Sequence, residues 1–181
     1  MVTRHNVQQN SPEWHELRAN RITASNAYTL LTKGVNSAVN GAGGGNHGGF
    51  WAERGHILED EALEIYQAVF NTEVGKVGFI TNSDFPHCGY SPDGFDDIPL
   101  EVKCFKTEKH LASIQELPTE VVCQVQFGMM ISETERAIVI LYNPDIEDSE
   151  LCFKTIELKR DERLIANFKK KLEVLKDVRE D

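Results

Sequence analysis

A mixed α/β fold, a central β-sheet flanked by helices, is what the sequence predicts, and three observations predict it. Residues 137–142, AIVILY, form a nearly continuous apolar run of β-formers, the pattern of a strand covered on both faces. Residues 50–70, FWAERGHILEDEALEIYQAVF, place Trp51, Ile57 or Leu58, Ala62, Ile65, Tyr66 and Val69 at steps of three and four, the stripe of an amphipathic helix. Between them lie short β-type segments broken by Gly, Pro and Asp. A chain of 181 residues suffices for one well-buried core, so residues 1–181 are read as a single domain.

The elements follow in order. Ser11-Pro12-Glu13 is an N-cap followed by proline at the first helical position, and it starts a short helix through WHELRANR. A second helix starts at Thr23 or Ser25 and carries Ala27, Leu30 and Leu31 up to Gly34. The tract 34–49, GVNSAVNGAGGGNHGG, offers little to bury and reads as a flexible loop, with His47 solvated. It shares only composition with phosphate-cradling loops, because no Gly-Lys-Ser/Thr follows. In the helix 50–70, Glu59 lies near the apolar stripe, whereas Asp60, Glu61 and Glu64 read as solvated acids. Strands are expected at 73–82, 87–90, 98–104, 137–142 and 152–158. A helix is expected at 119–132 from Val122, Val125 and Met129, and a closing charged helix from Asp161 to Arg179, with Lys169, Lys170 and Lys171 as exposed surface.

With 40% apolar and 27% charged residues the chain is globular rather than disordered or fibrous. No segment approaches the roughly 18 apolar residues of a membrane helix. The stretch MVTRHNVQQNSPEW lacks the apolar run of a secretory signal, so the expected location is the cytoplasm, away from membranes. Cys88, Cys104, Cys123 and Cys152 are scattered without a CxxC pair and read as reduced thiols. A net charge of −10 argues against holding nucleic acid through a broadly basic surface, though not against a basic channel. Carboxylates gathered around divalent cations also count as negative in that tally, yet become effectively positive once loaded.

The stretch GYSPDGFDDIPLEVKC, residues 89–104, carries the chemistry. Asp93 sits between Pro92 and Gly94 in a tight-turn composition at a strand end, while Asp96 and Asp97 fall into the turn itself. Glu101 and Lys103, two apart in an extended segment, emerge on one face and Val102 on the other. Asp93 on the other arm can meet that pair across the hairpin. Two carboxylates brought together repel unless a cation lies between them, and oxygen donors with a backbone carbonyl suit Mg²⁺ or Mn²⁺. A lysine beside such a metal can orient a water or stabilise charge on phosphorus. The same residues also fit an ordinary exposed hairpin with a same-face Glu–Lys pair.

The company of these residues extends the pattern. SPDG at 91–94 followed by LEVKC at 100–104 resembles the signature of the PD-(D/E)XK nuclease superfamily. WHELRANRITAS at 14–25, RGHILEDEA with Glu59, and Gln124-Val125-Gln126 stand around it in the order found in the lambda-exonuclease-like, or YqaJ-like, phage recombination nucleases. The resemblance implies a restriction-endonuclease-like core in which Asp93, Glu101 and the carbonyl of Val102 hold Mg²⁺, with Mn²⁺ as the alternative. It implies that Lys103 positions the nucleophilic water, that Glu59 lies beside the metal through water, and that Gln124 helps hold the site. Arg18 and Ser25 match the positions that grip a terminal 5′-phosphate, which suits a planar guanidinium fork and a hydroxyl at a helix start.

The function implied is a 5′→3′ exonuclease on double-stranded DNA ends that leaves 3′ single-stranded tails for phage recombination in the cytoplasm of a bacterial host. A single-strand-annealing protein is the implied partner and a trimeric ring the implied assembly. Two other readings stand beside it: a repair or restriction endonuclease, and a non-catalytic module that binds DNA ends. Lys106, Lys109 and His110, just after the catalytic strand, either track phosphates or form a solvated face.

Overall fold

A computed structural model describes residues 1–41 and 50–175. The elements run β1 (Val2–His5), α1 (Pro12–Arg18), β2 (Ile22–Thr23), α2 (Ala27–Lys33), α3 (Val35–Gly41), α4 (Phe50–Phe70), β3 (Phe79–Asn82), β4 (Cys88–Gly89), β5 (Gly94–Asp96), β6 (Ile98–Lys103), α5 (Thr107–Gln115), α6 (Thr119–Ser132), β7 (Arg136–Tyr142), α7 (Ser149–Cys152), β8 (Phe153–Lys159) and α8 (Glu162–Leu172). Single 3₁₀ turns occupy Ala24–Asn26 and Glu173–Leu175.

The main sheet has the order β5-β6-β7-β8, antiparallel at both edges and parallel between β6 and β7. That parallel pair requires a crossover, which α5 and α6 supply. Strand alternation sorts the two faces. Leu100, Val102, Ile140 and Tyr142 pack on Leu58, Ala62, Leu63 and Tyr66 of α4, while Ala137, Val139 and Leu141 pack on Val121, Val125 and Met129 of α6. A third cluster joins α6 through Phe127, Met130 and Ile131 to Ile22, Leu30, Tyr90, Ile165 and Phe168. Two small pairs, β1 with β3 and β2 with β4, tie the N-terminal segment to the approach to the hairpin, and Gly75 and Tyr90 add single bridges to Phe95 and Ile80.

The expected α/β class, the apolar β7 and the α6 helix stand, and several boundaries change. Residues 35–41, expected as part of a flexible loop, form α3, because Val35, Ala38 and Val39 make a short apolar stripe whose Ala38 is buried. Gly34, with φ of 86°, closes α2 just before it. Residues 42–49, His47 included, lie outside the described residues, as do 176–179 of the expected closing helix. Thr23 ends the two-residue strand β2 and Ser25 lies within the 3₁₀ turn, so the helix starts at Ala27 rather than at Thr23 or Ser25. Of the expected strand 73–82 only 79–82 is strand, and Gly94–Asp96, expected as turn, is β5. On α4, Leu63 faces the core, whereas Ile57 and Val69 are exposed. The segment after β6 is helix α5, and His110 on it is fully buried with Nε2 against the Leu151 carbonyl, which removes it as a phosphate contact. All four cysteines are free thiols; burial pushes Cys88 and Cys104 up to about 12, well out of the reactive range. Among the described residues no helix is long and apolar enough to cross a membrane.

Gly128 of α6 lies against the Tyr90 ring, where an added Cβ would come within 2.7 Å of ring carbons. Replacing a helix-interior glycine with alanine ordinarily gains about 0.5–1 kcal/mol. Here overpacking against a rigid buried ring costs roughly 1–3 kcal/mol and wins. Gly128→Ala should therefore lower the midpoint of urea unfolding, and a raised midpoint would contradict this packing.

Candidate active site

The hairpin stops pairing where the acids begin. β5 covers β6 only from Ile98 to Leu100, so the next N–H on that edge, from Val102, has no strand partner. Asp93 Oδ2 accepts it at 2.7 Å, and the Asp93 N–H donates to the Leu100 carbonyl at 3.1 Å. In an extended strand the N–H and carbonyl of one residue point to the same edge, so the Val102 carbonyl also faces the Asp93 side.

Glu101 and Lys103 emerge together on the α6 face. Lys103 Nζ donates to Glu101 Oε1 at 2.7 Å, and Gln124 Nε2 from α6 donates to the same oxygen. The buried Tyr90 hydroxyl lies 3.5 Å from Glu101 Oε2. Glu59 reaches the cluster from α4, its carboxyl within hydrogen-bonding reach of Asp93. The structure thus brings together Glu59, Asp93, Glu101, Lys103 and Gln124, which lie far apart in the chain.

Arg18 and Ser25 attach to the adjoining segment 88–91. Arg18 lies over the Trp14 ring at 4.2 Å, and its Nη1 donates to Ser91 Oγ at 3.3 Å, two residues before Asp93. Trp14 Nε1 donates to Ser91 Oγ at 2.9 Å and to the Gly78 carbonyl at 3.1 Å. β2 pairs with β4, which places the exposed Ser25 just past that pairing, its hydroxyl 2.9 Å from Thr23 Oγ1. Sequence reasoning missed Trp14, Ser91, Tyr90 and Gln9, whose Nε2 donates to the Pro92 carbonyl at 2.9 Å. Trp14 and Ser91 were at hand inside the quoted motifs; Gln9 carries no signal in the sequence.

The electrostatics follow from gathering three acids around one lysine. Burial first, then the facing Glu59, push the Asp93 carboxyl up to about 7. Burial and then Asp93 push Glu101 up to about 7 as well. Glu59 is raised by burial, Glu101 and Asp60. Burial alone would lower Lys103, but Glu101 and Asp93 outweigh it and hold the ammonium above its ordinary value. Burial lowers Arg18.

Among the described residues no three or more His, Cys, Asp or Glu side chains converge as a ready-made metal cage. The expected donor set is of another make, two carboxylates and a backbone carbonyl with Glu59 through water. The residues fit it: Asp93 and Glu59 face each other, and both Asp93 and Glu101 are driven toward protonation, a condition a divalent cation between them would relieve.

The sign of the pH effect is fixed by these shifts. Unfolded carboxyls titrate near about 4, whereas Asp93 and Glu101 do so at about 7 in the fold. The folded state therefore binds extra protons between those values, and stability of the metal-free protein falls as pH rises through that window, then levels off. Urea midpoints in chelator should be lower at pH 8 than at pH 5.5, a slope on the order of a few kcal/mol. Asp93→Asn should flatten it, and an unchanged slope in that variant would refute the assignment.

Comparison with known proteins extends the geometry. A family model described as the YqaJ-like viral recombinase domain matches residues 13–135. No curated protein matches the chain. Among solved structures, the alkaline exonuclease LHK-Exo from Laribacter hongkongensis is similar with a TM-score of 0.77 at 24% identity, covering 92% of this chain and 91% of that one. LHK-Exo in complex with dAMP gives a TM-score of 0.79 at 23% identity, with the same coverage of 92% and 91%. A phage related exonuclease from Haemophilus somnus 129PT gives 0.68 at 13% identity, over 90% of this chain and 95% of that one. At such identities these likenesses establish a shared fold.

Proposed function

The chain belongs to the YqaJ-like viral recombinase domain family, and on that premise we propose that it is a Mg²⁺-dependent 5′→3′ exonuclease acting on double-stranded DNA ends. The observation that carries this reading is the cluster of Glu59, Asp93 and Glu101 around Lys103, set two residues from the serine that Arg18 holds. Its fold is shared with solved exonucleases, which supports the same reading.

Asp93, Glu101 and the Val102 carbonyl would hold the metal, with Glu59 through water and Mn²⁺ as the alternative ion. When bound, the metal supplies Lewis acidity at the phosphoryl group and a more acidic water. Lys103, fixed by Glu101, positions the attacking water and offsets charge gathering on the phosphoryl oxygens. Gln124 holds the shared Glu101 oxygen in place. Water oxygen bonds to phosphorus and gives up a proton to solvent, the P–O3′ bond breaks, and the departing 3′ oxygen takes a proton from solvent. A 5′-mononucleotide leaves and the shortened strand carries a new 5′-phosphate. Arg18, with Ser25, binds that phosphate, and the stacked guanidinium is already oriented for it. Successive cuts leave a 3′ tail, whose natural partner is a single-strand-annealing protein in a bacterial cytoplasm. A ring of three copies would keep such an enzyme on its duplex.

Digestion of end-labelled linear duplex with Mg²⁺ tests the reading. Lys103→Ala should lower kcat on the order of 10²–10³-fold, the loss that follows removal of one preorganised charge-stabilising donor. Arg18→Ala should raise KM about tenfold for 5′-phosphorylated ends and abolish the preference for them over 5′-hydroxyl ends. Supercoiled plasmid cut as fast as linear DNA would replace the exonuclease with an endonuclease. Binding to ends without cleavage by the wild type would leave only an end-binding module.

A further inference from the structure

One wall of the active site is made of carboxamides. A cleft of about 470 Å³ opens onto Glu59 and Asp93 and is lined by Asn6, Gln8, Gln9 and Asn10 on one side and by residues 76–78 on the other. Its size falls in the range of small-molecule sites, about 300–1,000 Å³. The wall is anchored from behind. Gln9 is tied to the Pro92 carbonyl, and the Val7 carbonyl lies so close to Gly78 that a Cβ there would collide with it. Asn6, Gln8 and Asn10 are exposed and make no side-chain hydrogen bond among the described residues.

The charge of this cleft is wrong for a phosphate track. Glu59, Asp60 and Asp93 line it, and its lysine, Lys76, is 2.6 Å from Asp60 and so already paired. Polyanion backbone is held by cations, and the cleft has none to spare. Carboxamides suit the other part of a nucleotide. Each offers donors and an acceptor in one plane, the complement of a base edge. Because an amide can present either end, one set of amides accepts any of the four bases, which a processing nuclease requires and a fixed guanidinium would not provide.

We propose that the cleft between residues 6–10 and 76–78 seats the base and sugar of the terminal nucleotide, with Gln8 and Asn10 on the base. The inference rests on the exonuclease reading, which leaves the nucleotide's phosphates to Arg18 and to the carboxylate cluster.

Two experiments decide it. The first cleavage of a 5′-phosphorylated duplex is timed with an ordinary terminal nucleotide and with a base-less tetrahydrofuran residue in its place. Wild type should cut the base-less end about tenfold more slowly, the worth of one good base contact. The double variant Gln8→Ala/Asn10→Ala, altered only at exposed positions, should slow on the ordinary end to that same rate and lose the distinction. Equal rates on both ends in wild type, or equal slowing of both in the variant, overturn the proposal.

Independently, side-chain resonances are followed by NMR with Mg²⁺ while thymidine 5′-monophosphate or 2-deoxyribose 5-phosphate is added. The amides of Asn6, Gln8 and Asn10 should shift with the nucleotide and not with the sugar phosphate. Amide resonances that stay in place with the nucleotide overturn the proposal. If wild type digests nothing, the exonuclease reading fails, and this titration still decides whether the cleft takes a nucleoside.

Discussion

A single side chain completes the sheet where a strand runs out. β5 ends opposite Leu100, and the N–H of Val102 would be left as an orphan donor at a partly enclosed edge. Asp93 takes that donor at 2.7 Å, so its carboxylate is locked to the strand that presents Glu101 and Lys103. The rest of the site hangs on this bond. Upstream, the Pro92 carbonyl is held by Gln9 and Ser91 by Trp14 and Arg18, so a continuous chain of contacts runs from the Arg18 guanidinium to the Lys103 ammonium. Their spacing is set by hydrogen bonds to the short segment Ser91–Asp93 and from Asp93 to β6 rather than by side-chain packing alone, which is the kind of support that holds reacting groups to within tenths of an ångström.

That arrangement carries a cost that the core has to offset. Three carboxyls share a partly desolvated site with one lysine, and burial of like charges is unfavourable by several kcal/mol without compensation. Apolar layers on the α4 face of β6 and β7 and on the α6 face of β7 supply the opposing free energy. The same helices deliver the two polar groups of the site that come from outside the hairpin. Glu59 rides on α4 beside the buried Leu58 and Ala62, and Gln124 on α6 beside Val125, so each is positioned by its helix's apolar stripe. Such a site is destabilising once its carboxyls are ionised, and gains most from a ligand that neutralises them.

What could be read in advance depended on periodicity. Alternation placed Glu101 and Lys103 on one face and Val102 on the other, and the structure has them so, with Gln124 meeting the first face and α4 the second. Helical spacing located α4 and α6. Features without a period stayed hidden: the two-residue β2 is too short to alternate, and the bond from Asp93 to a backbone N–H depends on where β5 happens to end. In residues 35–41 the glycine-rich surroundings masked the stripe of Val35, Ala38 and Val39, a case in which composition outweighed pattern in the reading but not in the fold. His110 shows the converse. Its position among lysines suggested a phosphate contact, yet helix α5 turns it inward, because a charge-rich neighbourhood in sequence says nothing of which face a residue takes.

The acidity of the chain bears on how such a protein can meet DNA at all. A surface of net charge −10 gains little from counterion release along the length of a duplex. Attraction must be concentrated at a few points where a cation is held in a fixed pose, and Arg18, stacked on Trp14 and bonded to Ser91, is such a point. A terminal phosphate differs from an internal one in carrying additional charge and in lacking a strand on one side, so a single oriented guanidinium discriminates it best. Neutral amides beside the acids would, as proposed, accept the remainder of the nucleotide without adding repulsion or requiring a particular base. On the proposed reading, weak general attraction combined with a strong contact for an end would favour action from the end inward over cutting at internal positions.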